Sequence, residues 1–166
     1  MARIPEVSII MAAYAAEATI GAAIASCLAQ TKHEFELIIV DDASPASLQP
    51  AVSSAANGDE RVRFERLSTN GGPSVARNRA LDLARGEYVI VLDADDAMRP
   101  DRLEVMLSAA RSANADIVVD NMISRRIDVD GQATQSSFLD PSRIGAGQTI
   151  TLSDYMDPST SELYGQ

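Results

Sequence analysis

Asp93, Ala94, Asp95 and Asp96 follow directly on Tyr88-Val89-Ile90-Val91-Leu92, so an uninterrupted apolar run ends in a cluster of carboxylates. Asp93 and Asp95 stand two residues apart, and in an extended or gently turned segment they point the same way. Two carboxylates converging like this suit a hard divalent cation shared with phosphate oxygens; a solvated acidic turn capping the next helix is the plainer alternative. A second acid pair, Asp41-Asp42, closes the apolar run that starts at Phe35. Uracil, thymine and guanine each present a ring N–H that a carboxylate can accept, so one pair can read a base while the other holds metal and phosphate. Four carboxylates on one edge repel one another and call for a cation or hydrogen-bond donors. Arg77 and Arg79 lie in the first turns after Asn70-Gly71-Gly72-Pro73. Arg77 is placed to reach a diphosphate, with the helix N-terminus adding N–H donors. Arg79 reads instead as a solvated helix face paired with Asp82 or Glu87.

The elements that must carry these residues alternate. Apolar runs at Val7–Ala13 and Phe35–Asp41, the half-polar 62–67, the run from Tyr88 and a short 117–121 read as strands. Periodic stretches at 17–30, 47–56, 74–85 and 100–113 read as helices between them. Ser74 is a candidate N-cap, while Asn57-Gly58 and Gly86 are candidate stops. The run before Asp93 shows no alternation, so both its faces are expected to be covered. Strand and helix in strict alternation predict an α/β fold with a doubly wound, largely parallel sheet flanked by helices. In such sheets ligands collect at the carboxyl ends of the strands, where both acid pairs fall. After residue 122 the character changes to a hairpin signal at 125–131 and then a polar stretch. The expected division is 1–122 as one α/β domain and 123–166 as the start of a further region, truncated, with the chain reading as the front part of a longer protein.

Composition narrows the function classes. With 166 residues and 46% apolar content the chain can close one core, built from Ala, Val, Ile and Leu because tryptophan is absent and aromatics are 4%. A net charge of −10 argues against a nucleic-acid-binding surface, but not against nucleotides, because a bound metal reverses the local sign. The one cysteine, Cys27, excludes an internal disulfide and fits a reducing compartment. No apolar run approaches the length of a membrane span, and no signal-peptide core precedes Val7, so a soluble, cytoplasmic chain is expected. A phosphoacceptor receiver module, which also carries paired acids, needs a lysine after them; the only lysine is Lys32, upstream of both pairs.

Four segments in order resemble the inverting glycosyltransferases of family 2, whose fold is GT-A, a Rossmann-like nucleotide-binding fold. They are Val7-Ser8-Ile9-Ile10-Met11-Ala12-Ala13-Tyr14, Leu37-Ile38-Ile39-Val40-Asp41-Asp42-Ala43-Ser44, Asn70-Gly71-Gly72-Pro73-Ser74-Val75-Ala76-Arg77-Asn78 and Leu92-Asp93-Ala94-Asp95-Asp96. The family usually carries Pro where Ala12 stands and Asn where Ala15 stands. The resemblance implies a nucleotide-diphosphate sugar donor, most often UDP-linked, bound by Ala12, Ala13, Tyr14, Glu17, Asp41, Asp42, Arg77, Asp93, Ala94 and Asp95, with Asp93 and Asp95 holding Mg or Mn. It further implies transfer with inversion to a saccharide or lipid-linked acceptor in bacterial polysaccharide synthesis, no nucleic-acid partner, and room for peripheral association of a full-length parent with the inner face of the membrane. The catalytic base is expected beyond residue 166; Asp140, Asp154 and Asp157 are candidates by composition only, and none is assigned.

Overall fold

The computed structural model describes residues 4–127 and 132–137. By its contacts the chain separates into two units, 1–104 and 105–166.

The first unit is built on four parallel strands. β1 (Val7–Ala13) pairs with β2 (Phe35–Asp41), β2 with β3 (Val62–Arg66), and β1 on its other side with β4 (Tyr88–Val91), giving the order β3-β2-β1-β4. The order reverses at β1, so the switch point of the sheet lies between the carboxyl ends of β1 and β4. β1 and β2 form where continuous apolar runs predicted them because nearly every residue in both is buried. Alternate residues supply two core layers. Ile10, Ile38 and Val40 pack with Ala76 and Ala80 of α3 (Pro73–Leu83). Ile9, Met11, Leu37 and Ile39 are wholly buried on the other side. α1 (Ile20–Leu28) and α2 (Gln49–Ala56) pack against each other, and α1 buries Ile20, Ala23, Ile24 and Cys27. Burial pushes the Cys27 thiol up to about 12, which keeps it protonated and inert.

Three expectations are corrected. α3 starts at Pro73 with Gly72 as its N-cap, not at Ser74: proline's fixed φ suits the first helical position, and Gly72 sits at φ 86, a left-handed value that costs glycine least. β4 is covered on one face only. Val89 and Val91, on one face of the strand, are 42% and 49% exposed; β4 is also an edge strand, paired among the described residues with β1 alone. Residues 117–121 form no strand. Ile117 and Val119 stand exposed with no partner ladder among the described residues, and strand propensity without a neighbour stabilises nothing.

At the amino ends of the strands a network unannounced by any motif holds the sheet. The Glu36 carboxylate, buried in the second position of β2, accepts from Ser8 Oγ (2.8 Å), Arg63 Nη1 (3.0 Å), the Arg85 amide (2.8 Å) and Arg85 Nη2 (2.8 Å). Gly86 N–H donates to Ser8 Oγ (2.8 Å), and a Cβ there would lie 2.5 Å from the Ser8 nitrogen, so only glycine fits this approach of the α3–β4 connection to β1. Burial alone would raise the Glu36 pKa; the bonds from Arg85, Ser8 and Arg63 outweigh it and hold it below the usual carboxylate value.

α4 (Arg102–Ala113) begins in the first unit, where the Leu103 amide donates to Gln30 Oε1 (3.0 Å). In the second unit β5 (Ile123–Ile127) and β6 (Ala133–Ser137) form the antiparallel hairpin expected near 125–131. No helix among the described residues is long and apolar enough to cross a membrane.

Candidate functional site

The acids sit where the sheet ends. Asp41 closes β2, level with Ala13 of β1, and the Asp42 amide donates to the Ala13 carbonyl (2.9 Å). Asp41 is wholly enclosed: Oδ1 accepts from the Ser44 amide (2.9 Å), Oδ2 from the Leu48 amide (3.4 Å), and Arg66 Nε stands 3.7 Å from Oδ2. Arg66 also donates to the Ser44 carbonyl (2.6 Å). The Asp42 carboxylate reaches across to the turn before α3, where Gly71 N–H donates to Oδ1 (2.8 Å) and Gly72 N–H to Oδ2 (2.7 Å). Asn70 Nδ2 closes the same contact on the Asp42 carbonyl (3.0 Å). The two glycine amides that lead into this helix are therefore already engaged by an internal carboxylate. A carboxylate has about four lone-pair sites, so acceptor capacity remains on both residues. Both residues are buried, Asp41 at 0% and Asp42 at 3% exposure.

The first loop is tied to the second through Ser44, whose Oγ accepts from the Ala15 amide (3.0 Å). Ala15 and Ala43 hold left-handed backbone at φ 49 and 54, so two strained alanines flank this junction. Ala12 is half-buried, Ala13 is buried, and Tyr14 and Glu17 are exposed on the loop leading to α1.

After β4 the chain makes a tight turn, with Asp96 N–H donating to the Asp93 carbonyl (3.1 Å) across Ala94, which is buried, and Asp95, which is exposed. Of the extended or gently turned segment expected, the structure shows a turn. Arg77, one turn into α3, donates from Nη2 to Asp93 Oδ1 (2.6 Å), while its Nε is buried with no hydrogen-bond partner. Burial, followed by the charges of Asp95 and Asp93, raises the Asp96 pKa, with Arg102 opposing. Arg79 is turned away and pairs in bidentate fashion with Glu65 (2.6 and 3.0 Å), a structural role as expected, with a partner other than the two foreseen.

Asp93 and Asp95 supply hard oxygen donors, and no group of three His, Cys, Asp or Glu side chains converges among the described residues. Two carboxylates beside an open edge fit a Mg or Mn ion that takes its remaining ligands from water and phosphate, not one caged by protein alone. Sequence reading missed Ser44, Arg66 and Asn70 as organisers of the loops. The signal for Asn70 lay in the Asn-Gly-Gly turn itself, whereas nothing marked Arg66. Asp140, Asp154 and Asp157 lie outside the described residues.

The profile of glycosyl transferase family 2 matches residues 8–161. Over 120 residues the chain is 46% identical to the succinoglycan biosynthesis protein ExoO of Rhizobium meliloti, covering 72% of this chain and 34% of that protein. The S. aureus protein TarS, solved as residues 1–349 with UDP-GlcNAc, superposes with a TM-score of 0.61 at 28% identity, over 66% of this chain and 32% of that one. A mannosyltransferase, PcManGT from Pyrobaculum calidifontis, solved with GDP-Man and Mn2+, gives 0.58 at 27% identity, over 74% and 36%. The chain thus spans about a third of the length of each of these relatives.

Proposed function

Given that the chain belongs to glycosyl transferase family 2 and carries its GT-A sheet, we propose that it is the donor-binding part of an inverting sugar transferase that uses a nucleotide-diphosphate sugar, UDP-linked, and builds a bacterial polysaccharide. The observation that carries this reading is the acid turn of Asp93 and Asp95 standing beside Arg77 at the switch point of the sheet. ExoO, named for succinoglycan biosynthesis, supports the polysaccharide. The nucleotide sugars bound by TarS and by PcManGT support the donor class.

In this reading the base lies over the loops after β1 and β2, against Ala12, Ala13, Tyr14 and Glu17. Asp42, with lone pairs beyond those its two glycine amides use, accepts from the base's ring N–H, and Asp41, bonded to the Ser44 and Leu48 amides, holds the loop in shape. Asp93 and Asp95 hold ribose and the metal, with Ala94 packed beneath the turn, and Arg77 neutralises the leaving diphosphate. Mg or Mn, when bound, supplies Lewis-acid stabilisation of that diphosphate. The donor role is assigned to residues 1–122. The acceptor, a saccharide or a lipid-linked one, belongs to the region from 123 onward, with the work done in the cytoplasm or at the inner membrane face. Because each relative is about three times longer, a donor-binding module without turnover of its own is the second reading.

Thermal unfolding with a panel of UDP, GDP and their sugars, with and without Mn2+, tests the proposal. A ligand present at about 100 times its Kd stabilises by roughly 2.7 kcal/mol, so a uridine-selective, metal-dependent rise in Tm is expected. No shift with any nucleotide under either condition would refute donor binding.

A further inference from the structure

Arg77 and any cation at the acid turn want the same oxygen. Arg77 Nη2 holds Asp93 Oδ1 at 2.6 Å, and Asp93 is the first of the two carboxylates available to a metal. One donor of the guanidinium is unsatisfied where it lies: its Nε is buried and unpartnered, while the side chain as a whole is 35% exposed. A dianionic group arriving at the strand ends would give this fork better acceptors than a single carboxylate oxygen does.

We propose that Arg77 is a latch on Asp93 that makes metal binding conditional on a diphosphate, so that the acid turn loads its cation only with a phosphorylated ligand in place. The inference rests on the donor reading above and adds to it a binding order and a discriminating residue. While Arg77 sits on Asp93, its positive charge both occupies an oxygen and repels a second cation. When a diphosphate draws the guanidinium away, Asp93 is freed to join Asp95, and the two ligands bind cooperatively. A ligand shifts such an equilibrium only through its different affinity for the two states, and the coupling is reciprocal: whatever factor the diphosphate contributes to metal affinity, the metal returns to the diphosphate. Uridine, which has base and ribose but no phosphate, offers Arg77 nothing and leaves the latch closed.

The test is Mn2+ binding to the 166-residue chain, read as free Mn2+ by electron paramagnetic resonance, for wild type, Arg77→Gln, Arg77→Lys and Asp95→Asn. Glutamine and lysine are both good helix formers, so α3 is kept, and far-ultraviolet circular dichroism checks that it is. Arg77→Gln is expected to bind Mn2+ alone about fivefold tighter or more than wild type, the lower end of ordinary coupling factors. Measured against the Mn2+ that UDP chelates without protein, UDP is expected to tighten Mn2+ in wild type by a similar factor beyond what its phosphate oxygens contribute as ligands in Arg77→Gln, and uridine to do nothing in either. Arg77→Lys, which keeps the charge without the fork, is expected to stay near wild type. Equal Mn2+ affinity in wild type and Arg77→Gln, with binding lost in Asp95→Asn, would overturn the latch and leave the metal reading standing. Arg77→Lys behaving like Arg77→Gln would overturn charge as its cause. Mn2+ binding indifferent to Asp95→Asn would overturn the latch and the metal assignment together.

Discussion

Replacing Asp42 by asparagine separates a loop-building role from a ligand-reading one. Each carboxylate oxygen of Asp42 accepts one backbone amide, at 2.8 Å from Gly71 and 2.7 Å from Gly72. The asparagine side chain has the same shape but one acceptor oxygen. Its NH2 must face whichever glycine amide loses, donor against donor, while the surviving bond loses its charge. A hydrogen bond to a charged group is worth about 1.5–3 kcal/mol, and an amide left unsatisfied adds its desolvation cost. Gly71 is exposed and Gly72 half-buried, so water recovers part of the loss and the lower end applies. A destabilisation of about 2 kcal/mol follows, or a Tm lower by roughly 4–8 °C at about 2–4 °C per kcal/mol for a chain of this size. Urea unfolding at pH 7 measures it, with Asp82→Asn, an exposed site on α3, as a control that should stay within about 0.5 kcal/mol. Asp42→Asn costing no more than the control would refute the clamp. If UDP affinity fell in the same protein, Asp42 would be a base reader and nothing else.

Glu36→Gln should cost about 3 kcal/mol, because it removes the charge from a buried acceptor that Arg63, Arg85 and Ser8 all donate to; a loss under 1 kcal/mol in urea unfolding would show the network to be dispensable. Since the folded pKa of Glu36 lies below its ordinary 4.5, its contribution is present above that value and lost as pH falls through the lower folded one. Wild type should therefore lose stability faster than Glu36→Gln in that acid window, and parallel curves would refute the assignment. Ala15→Asn should raise stability by about 0.5–1 kcal/mol, because asparagine tolerates the left-handed backbone that alanine holds at φ 49, and the Ala15 amide keeps its bond to Ser44. A lower Tm would show that φ 49 is not the source of strain.

How far the fold was legible depends on whether a residue's role lies in its type or in its neighbours. β1 and β2 were readable to the residue because nearly every position in each is enclosed, and enclosure favours a mostly apolar run. The same reasoning failed at β4 and at 117–121, for one cause. An apolar run says that burial would be favourable, but burial also needs a second surface, and the described residues place none against Val89, Val91, Ile117 or Val119. Glu36 is the mirror case. A glutamate between Phe35 and Leu37 looks like the exposed side of a strand, and the arginines that make it tolerable come from 27 and 49 residues away. No local pattern records that.

At the site the acids were named from their position at strand ends, yet what they do was less visible than where they are. Asp41 and Asp42 have the same side chain, adjacent places and no difference that a sequence displays. The sheet register then points one into the loop beneath and the other across to α3, and which amides they meet decides their capacity for a ligand. Arg77 shows the same limit from the cationic side. Its spacing from the Gly-Gly-Pro turn placed it near phosphate, but spacing does not show what a guanidinium holds when no phosphate is there. In this chain it holds Asp93. The residue expected to receive the leaving group and the residue expected to receive the metal are thus one ion pair, and the proposed latch is the opening of that pair.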